Sequence, residues 1–75
     1  MSEFQTSDLF LAAYLKGVNF EVIDIKKEGI KTIFCFKDKE ERKQLVLDFY
    51  NNKGSIEPLT FVRNWKDLKS LTFNI

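Results

Sequence analysis

Phe20-Glu21-Val22-Ile23-Asp24-Ile25-Lys26-Lys27-Glu28-Gly29-Ile30-Lys31-Thr32-Ile33-Phe34-Cys35-Phe36 is two arms rich in β-branched and aromatic residues, broken once by Glu28-Gly29. That composition and punctuation read as an antiparallel β-hairpin. With Glu28-Gly29 as a two-residue loop, Lys27 opposes Ile30, Ile25 opposes Thr32, and Ile23 opposes Phe34. Side chains alternate across a strand, so Ile23, Ile25, Ile30, Phe34 and Phe36 share one face and belong to the core. The opposite face carries Val22, Ile33 and Cys35 among Asp24, Lys31 and Lys37. It is more apolar than a solvated face needs to be.

On either side the period changes from two to that of a helix. Upstream, Thr6 to Lys16 reads as a helix that Thr6 or Ser7 caps, with Asp8 in its first turn favoured by the helix dipole. Leu9 to Leu15 is apolar nearly all round, which predicts a helix buried on several sides. Gly17 suits a left-handed C-cap. Downstream, Asp38 to Lys53 reads as a second helix. Asp38 and Glu41 have capping-box spacing, Leu45, Val46, Phe49 and Tyr50 form one stripe, and Gly54 closes it. Ile56 then suits a short third strand ended by Pro58, which cannot donate to a ladder. Thr60 caps a last helix with Phe61, Trp65, Leu68 and Thr72 on its core stripe and Arg63 and Lys66 opposite. Residues 71–75 fit either the end of that helix or a terminal strand.

The expected class is therefore α+β: helix, antiparallel hairpin, helix, short strand and C-terminal helix, the helices mainly on one face of a small sheet. Residues 1–75 are expected to form a single domain. A chain this short buries only about 60% of its unfolded surface. Eight Phe, two Tyr and one Trp offset that, because a single cysteine cannot make an internal disulfide. Pooling two small cores in a homodimer is the other remedy.

Composition excludes more than it assigns. There is no histidine and one cysteine, Cys35, so the usual general base and the usual zinc ligands are missing. No phosphate-binding glycine loop, nucleophile elbow or paired carboxylates at motif spacing occur. Enzymatic activity, a metal and a cofactor are not expected. Met1 to Thr6 lack the pattern of a secretory signal, and no apolar run approaches the roughly 20 residues of a membrane span. With a lone thiol, this points to the cytoplasm and away from membranes.

Ser7-Asp8-Leu9-Phe10-Leu11-Ala12-Ala13-Tyr14-Leu15 and Asp67-Leu68-Lys69-Ser70 resemble a family of small phage and bacterial proteins that carry a domain of unknown function. Ile33 to Phe36, a strand of alternating Phe, and Phe49 to Asn51 extend the likeness to nearly the whole chain. The shared motifs are mostly core residues, so the resemblance implies a fold and a mobile-element setting, with no catalytic residue to transfer.

Two binding readings remain. Residues 51–75 hold four cations against two carboxylates, whereas the first fifty residues carry a net −1. Arg63, Lys66 and Lys69 form a row that suits a phosphate backbone, with Lys31 and Lys37 in support, although Asp67 interrupts it. The first reading is thus a non-enzymatic accessory protein, phage or mobile-element encoded, that binds nucleic acid. The alternative is a protein-interaction module, such as a phage inhibitor of a host factor or a small dimeric assembly protein. Its contacts are expected at Val22, Ile33, Cys35 and Leu47, apolar positions off the core stripes. Cys35 itself reads as a packed, inert thiol and Asp38, Glu40 and Glu41 as helix-capping acids. Thermal unfolding midpoints with excess chelator and with added zinc should coincide; a large loss on chelation would reveal a structural metal.

Overall fold

The computed structural model describes residues 2–73. Its elements are β1 (Glu3–Thr6), α1 (Leu9–Gly17), β2 (Val22–Glu28), β3 (Lys31–Lys37), α2 (Arg42–Tyr50) and α3 (Pro58–Phe73). The three strands make one antiparallel sheet in the order β1-β3-β2. The class is α+β, with the helices gathered on one face of the sheet.

The hairpin turns one residue later than its glycine suggests. Glu28 pairs with Lys31, so Gly29-Ile30 is the loop. Gly29 has φ +65°, and Ile30 is not among the residues of positive φ. Positive φ at the first turn position alone is the pattern of a type II′ turn, which takes glycine there. Ile30, expected in the core, is 101% exposed. Moving the loop by one residue moves each pairing by two, so Ile25, Phe34 and Phe36 still face inward. Ile25 opposes Phe34. A bulge between Val22 and Asp24 then changes the parity. Val22 turns inward opposite Phe36, and Ile23 is left exposed. These are corrections at Ile23, Ile30 and Val22.

The third strand also lies elsewhere. β1 pairs Phe4 with Phe36 and Thr6 with Phe34 along the other edge of β3. The stretch at Ile56 forms no strand. Pro58 is the first residue of α3, where its missing N–H costs nothing and its fixed φ suits the helix. The carboxylate of Glu57 accepts from the N–H of Leu59 at 2.9 Å and of Thr60 at 3.0 Å. Glu57, rather than Thr60, is thus the cap.

Buried Leu11, Ala12, Ala13, Tyr14 and Leu15 place α1 at the centre. Phe4, Val22, Ile25, Phe34 and Phe36 meet it from the sheet, Leu45, Val46 and Phe49 from α2, and Phe61, Trp65 and Leu68 from α3. Asp8 caps α1, its Oδ1 accepting from Phe10 N at 2.9 Å and Leu11 N at 3.2 Å. Thr6 lies in β1 instead, its hydroxyl accepting from Asp8 N. The capping box at Asp38 and Glu41 does not form, because the Asp38 carboxylate takes the Arg42 guanidinium at 3.1 and 3.2 Å and α2 begins at Arg42.

Neither expected glycine cap is used. The left-handed residues after α1 and α2 are Asn19 (φ 73°) and Asn52 (φ 61°), and asparagine is the usual substitute for glycine there. Gly17 is still helical, and a Cβ on it would overlap Ile56 Cδ1. Its smallness serves close packing instead. The helix alternative for residues 71–73 holds; residues 74–75 lie outside the described residues.

The two possible hairpin registers differ in a measurable way. Ile30→Asn should change unfolding free energy by less than about 0.5 kcal/mol, whereas Phe34→Ala should cost roughly 3–5 kcal/mol. Urea unfolding of both variants checks this, and a core-sized loss at Ile30 would favour Glu28-Gly29 as the loop.

Candidate interaction surface

α3 has two faces of different character. Phe61, Trp65 and Leu68 pack toward α1 and the sheet, as their stripe predicts. Leu59, Val62, Lys66, Lys69 and Phe73 follow one another at spacings of three and four, so they line one outward seam. Arg63 stands beside it. All six are exposed; Leu59 is 69%, Val62 43% and Phe73 79% accessible.

The seam is continuous because Asp67 is turned away from it. The Asp67 carboxylate lies 3.8 Å from Lys16 Nζ on α1. The pair is exposed and adds little stability. It nevertheless draws the one acidic residue out of the run of Arg63, Lys66 and Lys69. Lys69 Nζ sits 4.8 Å from the centroid of Trp65, a cation–π contact that holds the ammonium at the seam.

Beside the seam lies an apolar hollow of about 230 Å³, lined by Phe10, Phe61, Val62 and Trp65. Phe10 stacks on Trp65 at 6.1 Å and 8°, yet it remains 55% exposed. Trp65, expected in the core, is half-buried at its rim. Its Nε1 is buried with no acceptor among the described residues. Phe10 carries no signal in the sequence that marks it for this surface. It belongs to an apolar run with no polar face, and only the packing of α1 shows which ring of that run lacks a cover.

The remaining expected site residues do not join this surface. Lys31 stands opposite Glu28, and Lys37 opposite Glu3, in the strand register. Both belong to the outer face of the sheet, where Lys26 also alternates with Asp24 and Glu28. Opposite charges there leave no net cationic field to extend the α3 row. Val22 packs against the core, Ile33 is half-buried on the outer sheet face, and Leu47 is exposed on α2. Together with Cys35 they occupy three different surfaces, so they form no single interface.

Cys35 is fully buried at the middle of the outer sheet face, outside the core cluster. Burial pushes its thiol pKa up, and the Glu3 carboxylate beside it adds to the shift. A thiol held protonated is a poor nucleophile and a poor ligand. Other polar groups are engaged structurally. Tyr50 Oη donates to Asp8 Oδ2 at 2.8 Å, fastening α2 to the cap of α1. Burial and that bond raise the Tyr50 pKa. Lys39 donates to Asn19 O at 2.7 Å and lies over Phe20, and Arg42 lies over Phe4. Arg42 also holds the Asp38 carboxyl below its usual range. An open groove of about 300 Å³ lies between Tyr14, Phe49, Gly54, Ile56 and Phe61. No group of three or more acidic or thiol side chains suited to a metal occurs among the described residues. No helix among them is long and apolar enough to cross a membrane.

A family profile described as a domain of unknown function (DUF5659) matches residues 1–74. No curated protein and no solved structure matches significantly.

The seam starts at the cap of α3, and that cap is titratable. The N–H groups of Leu59 and then Thr60 hold the Glu57 carboxyl below its ordinary value of 4.5. A carboxylate depressed in the folded state contributes stability above its unfolded pKa and loses it as pH falls through the folded one. Parent protein should therefore exceed Glu57→Gln in urea midpoint at neutral pH, and the gap should close as pH falls below 4.5. A gap independent of pH would show that the charge of the cap contributes nothing.

Proposed function

The chain belongs to the DUF5659 family, and within it we propose that this protein is a small non-enzymatic module that binds another protein through the outer seam of α3 and the ring of Phe10. The apolar hollow of Phe10, Phe61, Val62 and Trp65 beside exposed Lys69 carries this reading. An apolar pocket rimmed by tryptophan and other aromatic rings is the setting in which interface hot spots cluster. At about 230 Å³ the hollow is smaller than the roughly 300–1,000 Å³ of a small-molecule site. It suits one side chain of a partner. The resemblance to small phage and bacterial proteins favours a phage or other mobile-element accessory protein acting inside the host cell.

A photo-crosslinking residue at Val62 tests this in extract of the cells that carry the gene, with a second at Lys26 on the outer sheet face as control. The expected result is a discrete protein adduct from position 62, lost in Phe10→Ala, and none from position 26. No adduct at position 62, or one to nucleic acid, would overturn the reading.

One observation favours the nucleic-acid reading as the second choice: with Asp67 drawn to Lys16, the cations Arg63, Lys66 and Lys69 run unbroken. Replacing any one of the three by Gln should then lower the slope of log affinity against log salt by about one. Lys31 and Lys37 are not required in this version, since each faces an acid.

A further inference from the structure

We propose that the groove between α1, the end of α2 and the start of α3 is a small-molecule site for a neutral aromatic compound that carries a carboxamide. The site lies apart from the outer seam of α3, and the inference stands independently of the protein-binding reading.

The groove measures about 300 Å³ and is lined by Tyr14, Phe49, Asn52, Gly54, Ile56 and Phe61. Small-molecule sites begin at roughly this size and combine apolar walls with a few placed polar groups. Tyr14, Phe49 and Phe61 give the groove aromatic walls. The rings of Tyr14 and Phe49 stand 5.1 Å apart at 35°, and such walls favour another flat ring. Among the described residues no charged side chain lines the groove. A charged ligand group would lose hydration there and meet no opposite charge, so the ligand is neutral.

Tyr14 supplies the polar anchor. It is only 3% exposed. Its hydroxyl has no hydrogen-bond partner among the described residues, whereas that of Tyr50 donates to Asp8. A tyrosine buried this deeply ordinarily pairs its O–H. The phenolic end lies at the groove: a Cβ on Gly54, another lining residue, would stand 3.0 Å from Tyr14 Cε1, Cζ and Oη. Glycine therefore keeps the approach to the hydroxyl open. The hydroxyl is not sealed off as Trp65 Nε1 is, and with the rest of the residue buried the groove is its opening. Asn52, left-handed at φ 61°, adds a side-chain amide to the same lining, also without a hydrogen-bond partner among the described residues. The phenolic O–H donates, so it calls for an acceptor oxygen. The Asn52 amide can accept from an N–H beside that oxygen. A carboxamide on an aromatic ring offers both atoms.

The test titrates the intact protein with benzamide, benzoate and toluene and follows the amide resonances of Asn52 and Gly54 by NMR. Benzamide should shift both saturably, with a dissociation constant of about 1 mM. Benzoate, which brings a charge, and toluene, which lacks the polar atoms, should each bind roughly tenfold more weakly. Tyr14→Phe removes only the hydroxyl. It should keep the parent's unfolding midpoint and bind benzamide no tighter than toluene. Asn52→Gly suits the positive φ and should weaken benzamide several-fold while leaving toluene unchanged. No saturable shift from benzamide up to about 20 mM, equal affinity for the three probes, or full benzamide affinity in Tyr14→Phe overturns the proposal. A large stability loss in Tyr14→Phe overturns it too, because the hydroxyl would then be engaged within the fold.

Discussion

Five consecutive buried residues, Leu11 to Leu15, set the constraint that the rest of the structure satisfies. Five successive helical positions point around the whole circumference of a helix. A helix buried at all of them must be surrounded, and in a chain this short nearly every other element is needed to surround it. The inner face of the sheet supplies Phe34 and Phe36, α2 supplies Leu45, Val46 and Phe49, and α3 supplies Phe61, Trp65 and Leu68. Ala12 and Ala13 are both fully buried, and their small side chains let the surrounding elements come close. Gly17 extends that close fit to the connection at Ile56.

Committing so much apolar surface to one helix leaves the outside unevenly finished. The outer sheet face is covered by its own charged side chains, with acids opposite lysines at Glu3–Lys37 and Glu28–Lys31. Cys35 is closed off beneath them. The outward side of α3 has no such cover. Leu59, Val62 and Phe73 remain exposed there with three cations among them. Phe10 remains half outside because its ring leans on Trp65 at the rim of the core. The asymmetry between a self-satisfied sheet face and an unfinished helix face is what directs the functional reading to α3.

Several local signals pointed to the right element and the wrong atom. Asp38 and Glu41 have the spacing of a capping box, but Arg42 competes for the Asp38 carboxylate and wins through two hydrogen bonds. Gly17 and Gly54 sit where helix-ending glycines belong, yet Asn19 and Asn52 adopt the left-handed conformation. Both glycines matter here for lack of a Cβ: at Gly17 it would overlap Ile56, and at Gly54 it would meet the Tyr14 ring at 3.0 Å. Among the candidate site residues, Arg63 and Lys66 were legible because helical spacing places them opposite the core stripe, and Lys69 because it falls on the flank of that stripe, where it meets Trp65. Phe10 was not, because its exposure depends on what packs beside α1.

By itself the sequence determined the α+β class, the hairpin with Phe34 and Phe36 facing the core, and the two faces of the last helix. These follow from periods of two and of 3.6 residues, which act between near neighbours and need no knowledge of the whole. The pairing of Glu3–Thr6 with β3, the parity change at Ile23 and the withdrawal of Asp67 to Lys16 were decided by the tertiary structure alone. A four-residue strand with one aromatic residue has too little local preference to declare itself, and it exists because β3 offers an unpaired edge over the core. The bulge and the salt bridge likewise depend on partners far away in the chain, whose positions are fixed only once α1 is enclosed.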